Sequence, residues 1–99
     1  MTIDDRVSLN IKDIRRFRGL SQETLAIDSG VSHGYMGRLE NAKQSMTLLK
    51  LETIASALHV DPVFLLLPRH ITQDQLLSFV SNNGGTIEVI STAIDPSSR

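Results

Sequence analysis

The sequence predicts a mainly α protein: a domain of five short helices, followed by an extension of one further helix and a β-strand. Three observations carry this expectation. Between Val7 and Leu67, apolar residues recur at helical spacing, punctuated by capping residues, glycines and prolines. After Pro68 the texture changes, with a polar capping pattern leading into a second, separate apolar group. Near the C-terminus "TIEVISTAI" (Thr86–Ile94) is rich in β-branched residues, which favour a pleated strand.

Each element follows from its own residues. Val7, Ile11, Ile14 and Phe17 form the stripe of a first helix, and Gly19 supplies its stop. Ser21 is a good N-cap for a second helix, Gln22 to Ser29, with Leu25 and Ala26 facing inward. Gly30 allows a left-handed turn, and Ser32 caps a third helix that runs to Glu40. "NAKQSM" reads as a loop. Thr47 caps a fourth helix whose Leu48, Leu51, Ile54, Ala55 and Leu58 make one apolar stripe. In "VDPVFLLLP" a short fifth helix takes Pro62 in its first turn and stops at Pro68. Beyond it, Thr72 and Gln75 have capping-box spacing ahead of Leu76, Leu77, Phe79 and Val80, and "NNGG" marks a turn before the strand. The expected division is therefore 1–68 for the helical domain and 69–99 for the extension.

Composition limits what such a chain can do. Its 99 residues are 40% hydrophobic and contain no cysteine, which excludes disulfides and thiolate metal sites. No apolar run reaches the ~18 residues of a membrane span, and "MTIDD" lacks the basic and apolar segments of a signal peptide. The expectation is a cytoplasmic protein with no membrane partner. The net charge of −1 argues at first against a polyanion partner, but charge is unevenly distributed. Residues 1–50 hold eight Lys/Arg against six acids, a balance of +2, whereas residues 51–99 hold two against five, a balance of −3.

The informative window is Gln22 to Asn41. Leu25, Ala26, Gly30, Val31, Met36 and Leu39 occupy the positions that a helix-turn-helix needs: a close helix approach at Ala26, a turn at Gly30, and apolar anchors for the second helix. The stretch "IKDIRRFRGLSQETLAIDSGVSHGYMGRLENAKQS", followed by "TLLKLETIASALHVDPVFLL", resembles the lambda-repressor/Cro-like helix-turn-helix family of bacterial and phage regulators, the xenobiotic-response-element type. The resemblance covers roughly residues 7–67. It implies a five-helix bundle that binds an operator in double-stranded DNA, as a homodimer, to regulate transcription, most simply as a repressor.

Carried over residue by residue, the resemblance makes Gln22–Ser29 the positioning helix and Ser32–Glu40 the recognition helix. Base edges would be read from His33, Gly34, Gly37 and Arg38, which lie within about 140° on a helical wheel. Gln22, Ser32, Tyr35, Asn41 and Lys43 match positions that touch the DNA backbone. Arg15 and Glu40 match a pair that ties the first helix to the recognition helix through a largely buried ion pair. The chain departs from the family at Gly34 and Gly37, where side chains usually probe bases. Each glycine costs a helix about 0.5–1 kcal/mol relative to alanine. Direct readout then falls on His33 and Arg38, and the bare backbone can sit deeper in the groove. The alternative for the glycines is a helix-packing surface, as small residues three apart can form. Tyr35 could be partly packed, and the basic run at Arg15, Arg16 and Arg18 could be a solvated helix face.

No catalytic constellation is legible. Ser21 and Ser32 are caps, and no glycine-rich phosphate loop is present. His33, His59 and His70 do not have metal-ligand spacing, so neither a metal nor a cofactor is expected, and an enzyme is not. The extension is expected to dimerise the chain. An unpaired strand leaves its backbone groups without partners, and a two-fold antiparallel ribbon would satisfy them. Leu76, Leu77, Val80, Ile87, Val89, Ile90 and Ile94 would form that interface. The alternative is an antitoxin or adaptor whose extension binds a partner protein. An apolar, turn-punctuated segment favours the folded dimer element.

Overall fold

The computed structural model describes residues 1–69, together with residues 75 and 78. Its helices are α1 (Ile3–Phe17), α2 (Gln22–Ser29), α3 (His33–Glu40), α4 (Leu48–Ala57) and α5 (Val63–Leu66). Gln75 and Ser78 are helical and exposed. The remainder of the expected extension, including Leu76, Leu77, Val80, Ile87, Val89, Ile90 and Ile94, lies outside the described residues.

α1 begins four residues before Val7, where the sequence reading opens it. Thr2 and Asp5 form a capping box: the Asp5 N–H donates to Thr2 Oγ1 at 3.1 Å, and the Thr2 N–H donates to Asp5 Oδ2 at 3.0 Å. The Thr2 backbone and hydroxyl bonds hold the Asp5 carboxyl below its ordinary value. Because that value is lowered, the cap operates above the ordinary carboxylate range and is lost as pH falls through the folded value.

Two apolar expectations fail for geometric reasons. Phe17 is 44% exposed, because ten residues after Val7 the helix has turned about 80° away from that stripe. Leu48 is 81% exposed: as the first residue of α4, its side chain points back toward the open end of the helix. The rest of both stripes is buried. Val7, Ile11 and Ile14 of α1 meet Leu25 and Ala26 of α2, Met36 and Leu39 of α3, Leu51, Ile54 and Ala55 of α4, and Phe64 and Leu65 of α5 in one core.

Four helix ends share one device, in which a left-handed residue lets two N–H groups reach back to the final carbonyls. It is Gly19 after α1 and Gly30 after α2, with φ of 72° and 70°. After α3 it is Ala42 (φ 58°), whose following Lys43 N–H donates to the Arg38 carbonyl at 2.8 Å. After α4 it is His59 (φ 60°), where Val60 N–H donates to the Ala55 carbonyl at 3.0 Å. His59 therefore has a conformational role at the helix end that its sequence position did not suggest. Ser21, Ser32 and Thr47 each accept a backbone N–H at the opposite ends of α2, α3 and α4.

Buried polar groups fix how the helices meet. The Ser8 hydroxyl donates to the Leu39 carbonyl at 2.6 Å, joining α1 to α3. Asn10 is 1% exposed; its Nδ2 donates to the carbonyls of Leu65 (3.0 Å) and Leu67 (2.9 Å) at the end of α5. Its Oδ1 accepts from Arg69 at 2.7 Å, and Arg69 also pairs with Asp13 at 2.8 Å.

Candidate nucleic-acid interface

α2 and α3 are two eight-residue helices joined by a short turn at Gly30. Met36 and Leu39 of α3 are 0% and 1% exposed, so one side of the helix is committed to the core and the other is presented to solvent. On the presented side Ser32, His33, Gly34, Arg38, Asn41 and Lys43 are exposed, and Gly37 is half-buried. Tyr35 is partly buried and packs against the core. Of the four residues expected to read bases, His33, Gly34 and Arg38 are exposed, and Gly37 is half-buried between them.

That face is backed by a chain of hydrogen bonds running inward. Glu40 is buried, and both of its oxygens face the Arg15 guanidinium: Nε–Oε2 at 2.7 Å and Nη2–Oε1 at 3.0 Å. Arg15 Nη1 also donates to the Leu20 carbonyl at 2.8 Å, at the turn before α2. Gln22 Nε2 donates to Glu40 Oε1 at 3.2 Å, and Gln22 Oε1 lies 3.1 Å from His33 Nε2. The path from α1 to the exposed tip of α3 is continuous: Arg15, Glu40, Gln22, His33.

Arg38 has its own support. Its Nε donates to Gln44 Oε1 at 3.3 Å, and Gln44 Nε2 donates to the Ser45 carbonyl at 3.2 Å. Ser45 is joined to Asp4 at 3.2 Å, tying this loop to the first turn of α1. Sequence reading passed over Gln44, because a glutamine in a polar loop carries no pattern. Its position six residues after Arg38, just past the left-handed Ala42, is what returns it to the arginine.

The glycines are not demanded by packing within the chain. A Cβ at Gly34 would lie 3.5 Å from Arg38 Nη1, and one at Gly37 would lie 3.6 Å from Gln22 Oε1; both are ordinary contacts with polar side chains. Among the described residues no neighbouring helix backbone presses on either position, so packing there does not require their bareness.

Between residues 32 and 45 the sole acid is Glu40, buried against Arg15, and the exposed charges of this segment are Arg38 and Lys43. Acids collect elsewhere: Asp28 and Glu52 line a shallow groove between α2 and α4, beside Thr53, Ser56, Ala57 and His59. Among the described residues neither Arg38 nor Lys43 is ion-paired, and the acid that approaches their loop is Asp4, at Ser45. Among the described residues there is no cluster of three metal-ligating side chains, and no helix long and apolar enough to cross a membrane.

Comparison with known proteins gives the same architecture. Residues 9–65 match the family model described as a helix-turn-helix domain. The HTH-type transcriptional regulator y4dJ of Sinorhizobium fredii is 37% identical over 62 residues, 63% of this chain and 80% of that protein. The control protein C.SmaI of Serratia marcescens is 32% identical over 75 residues, 76% of this chain and 89% of its own. Among solved structures, the restriction-modification controller protein C.AhdI of Aeromonas hydrophila superposes with a TM-score of 0.61 at 32% identity, covering 63% of this chain and 94% of that one. A point mutant of the controller protein C.Esp1396I superposes with a TM-score of 0.63 at 25% identity, covering 84% and 96%.

Proposed function

The chain belongs to the helix-turn-helix domain family, and from that premise we propose that it is a transcriptional regulator that binds an operator in double-stranded DNA. The observation that carries this reading is the outer face of α3, whose own acid Glu40 is buried and on which His33 and Arg38 project from a braced helix with Lys43 beside them. Arg38 reads a guanine through its two terminal nitrogens, a contact worth about 1–3 kcal/mol of discrimination. Lys43, Asn41, Ser32 and Tyr35 hold phosphates and carry no sequence information. Gln22 keeps one amide hydrogen beyond its bond to Glu40 and can give it to a phosphate.

The relatives, a transcriptional regulator, a control protein and restriction-modification controller proteins, support a regulatory role, with repression of its own or a neighbouring operon its simplest form. We further propose that the chain acts as a homodimer on a pseudo-palindromic site, with half-sites about one helical turn apart or a multiple of it. In this reading residues 1–68 bind DNA and residues 69–99 dimerise through Leu76, Leu77, Val80, Ile87, Val89, Ile90 and Ile94, a division that rests on sequence pattern. Phe64 and Leu65 of α5 are fully buried in their own chain, but Leu66 is 36% exposed, so α5 is the competing interface.

Selection of bound duplexes from a randomised library, followed by footprinting, tests the reading. The full chain should enrich a two-fold symmetric site. Arg38→Ala should erase one guanine preference in each half-site. Lys43→Ala should weaken all duplexes alike and reduce the slope of log affinity against log salt by about 1. Removal of residues 84–99 should weaken dimerisation in sedimentation and operator binding together. Absence of any enriched duplex overturns the proposal, and an unchanged dimer after truncation overturns the role of the extension.

A further inference from the structure

The hydrogen bonds behind His33 settle more than its position. Glu40 is a buried carboxylate bound to Arg15, so it can only accept, and the Gln22 group facing it must be the NH2 end. The other end of the same amide, its carbonyl oxygen, therefore faces His33 Nε2 at 3.1 Å. A carbonyl cannot donate, so His33 Nε2 must carry the proton. In the neutral imidazole the remaining nitrogen, Nδ1, is then a bare acceptor. A parallel arrangement holds Arg38: Gln44 donates to the Ser45 carbonyl and turns its own oxygen to Arg38 Nε, leaving the two terminal guanidinium nitrogens as donors.

On the reading that α3 enters the major groove, we propose that His33 is a specificity-determining residue whose Nδ1 accepts a hydrogen bond from an exocyclic base amine. In the major groove adenine offers its N6 amine and cytosine its N4 amine, whereas guanine and thymine offer acceptors there. His33 thus selects an amino base, adenine or cytosine, over a keto base on one strand, beside the guanine selected by Arg38. Gln22 is the positioning residue, since it assigns the proton to Nε2, and Glu40 assigns the orientation of Gln22. The readout at His33 is consequently written three residues away from the base, in a carboxylate that never reaches DNA.

The test uses the full chain and a randomised duplex library at pH 8, where an ordinary imidazole is neutral. Wild type should enrich adenine or cytosine over guanine or thymine at one position of each half-site. Gln22→Ala frees Nε2, so either ring nitrogen can turn to the base in either role. It should collapse that amino–keto preference by roughly tenfold or more while leaving the Arg38 guanine position intact, which the loss of a phosphate contact alone would not do. In the unmodified protein, replacing the selected adenine by purine, which lacks the N6 amine, should cost a similar factor in affinity. Enrichment of a guanine-containing site with no amino-selective position, or with one that Gln22→Ala leaves unchanged, overturns the inference and leaves the regulator reading standing. Failure to enrich any duplex removes both.

Discussion

Two clusters of buried polar groups hang from α1, one facing α3 and the other facing α5. Toward α3, Arg15 meets Glu40 side chain to side chain, and Glu40 passes the bond through Gln22 to the exposed His33. Toward α5, Asn10 meets backbone: the carbonyls of Leu65 and Leu67, with Arg69 closing over its oxygen. The first cluster bears on which donors and acceptors an exposed tip presents to the outside. The second controls where a short helix ends and where the chain leaves the domain. Both bury polar atoms, but one encodes chemistry and the other encodes geometry.

The largest effect on folding belongs to the ionic cluster. Arg15→Ala leaves Glu40 with a buried carboxylate whose charge is no longer matched, and such losses cost about 3–5 kcal/mol. For a domain whose whole stability is about 5–15 kcal/mol, urea denaturation should show a large fall in the midpoint. An Arg15→Ala variant as stable as the parent would mean that the pair is solvated in solution, and the comparison would fail.

Asn10→Ala is the matching cut in the other cluster. It removes the donor from two carbonyls and the acceptor from Arg69, and a stability loss of about 1–3 kcal/mol is expected. The base preferences of bound duplexes should be unchanged, because nothing in this cluster reaches α3's exposed face. Altered base preference in Asn10→Ala would show that the two clusters are one coupled unit.

The two were not equally legible beforehand. Arg15 and Glu40 stand out in the sequence because they match positions in a recognisable family pattern, and the structure brings them to 2.7 Å. Asn10 gave no such signal beyond being polar at a position where the Val7–Ile14 stripe calls for an apolar residue. Its partners are backbone carbonyls 55 and 57 residues away, which any amino acid at those positions would supply. Gln44 was hidden for a related reason: its role depends on the left-handed turn at Ala42, and alanine does not advertise such a turn. The helices and their caps were readable because caps and stripes are local, except at Thr2, where aspartate rather than glutamate completes the box. What sequence could not carry was the pairing of polar groups across the chain.

Ala42 permits a finer cut between folding and presentation. Its φ of 58° costs an L-residue about 1–2 kcal/mol, which glycine avoids. After glycine's greater unfolded-state freedom is subtracted, Ala42→Gly should raise stability by about 0.5–1 kcal/mol. His59→Gly, at φ 60°, should gain a similar amount at the far end of α4. Thermal melts would check both gains. DNA affinity should be untouched by either, since each keeps its backbone path; a loss confined to Ala42→Gly would mean that the loop holding Gln44 depends on a stiffer turn.

The smallest folding effect, and the one that best separates the two kinds of design, belongs to the glycines of α3. Gly34 and Gly37 sit inside the helix without a left-handed φ, and a Cβ at either would meet only a polar side chain at 3.5 or 3.6 Å. Alanine therefore fits the fold without displacing backbone, and reduces the freedom the unfolded chain must lose. Each of Gly34→Ala and Gly37→Ala should raise stability by about 0.4–1 kcal/mol. The Gly34 methyl would stand on the exposed face and the Gly37 methyl beside Gln22, where each would hold the helix away from a base edge, so affinity for the selected duplex should fall as stability rises. Opposed signs in melting and binding would show that bareness at these two positions serves contact with DNA. Stabilised variants that bind as well as the parent would remove close approach as the reason for the glycines, and leave His33 and Arg38 to read the groove from a greater distance.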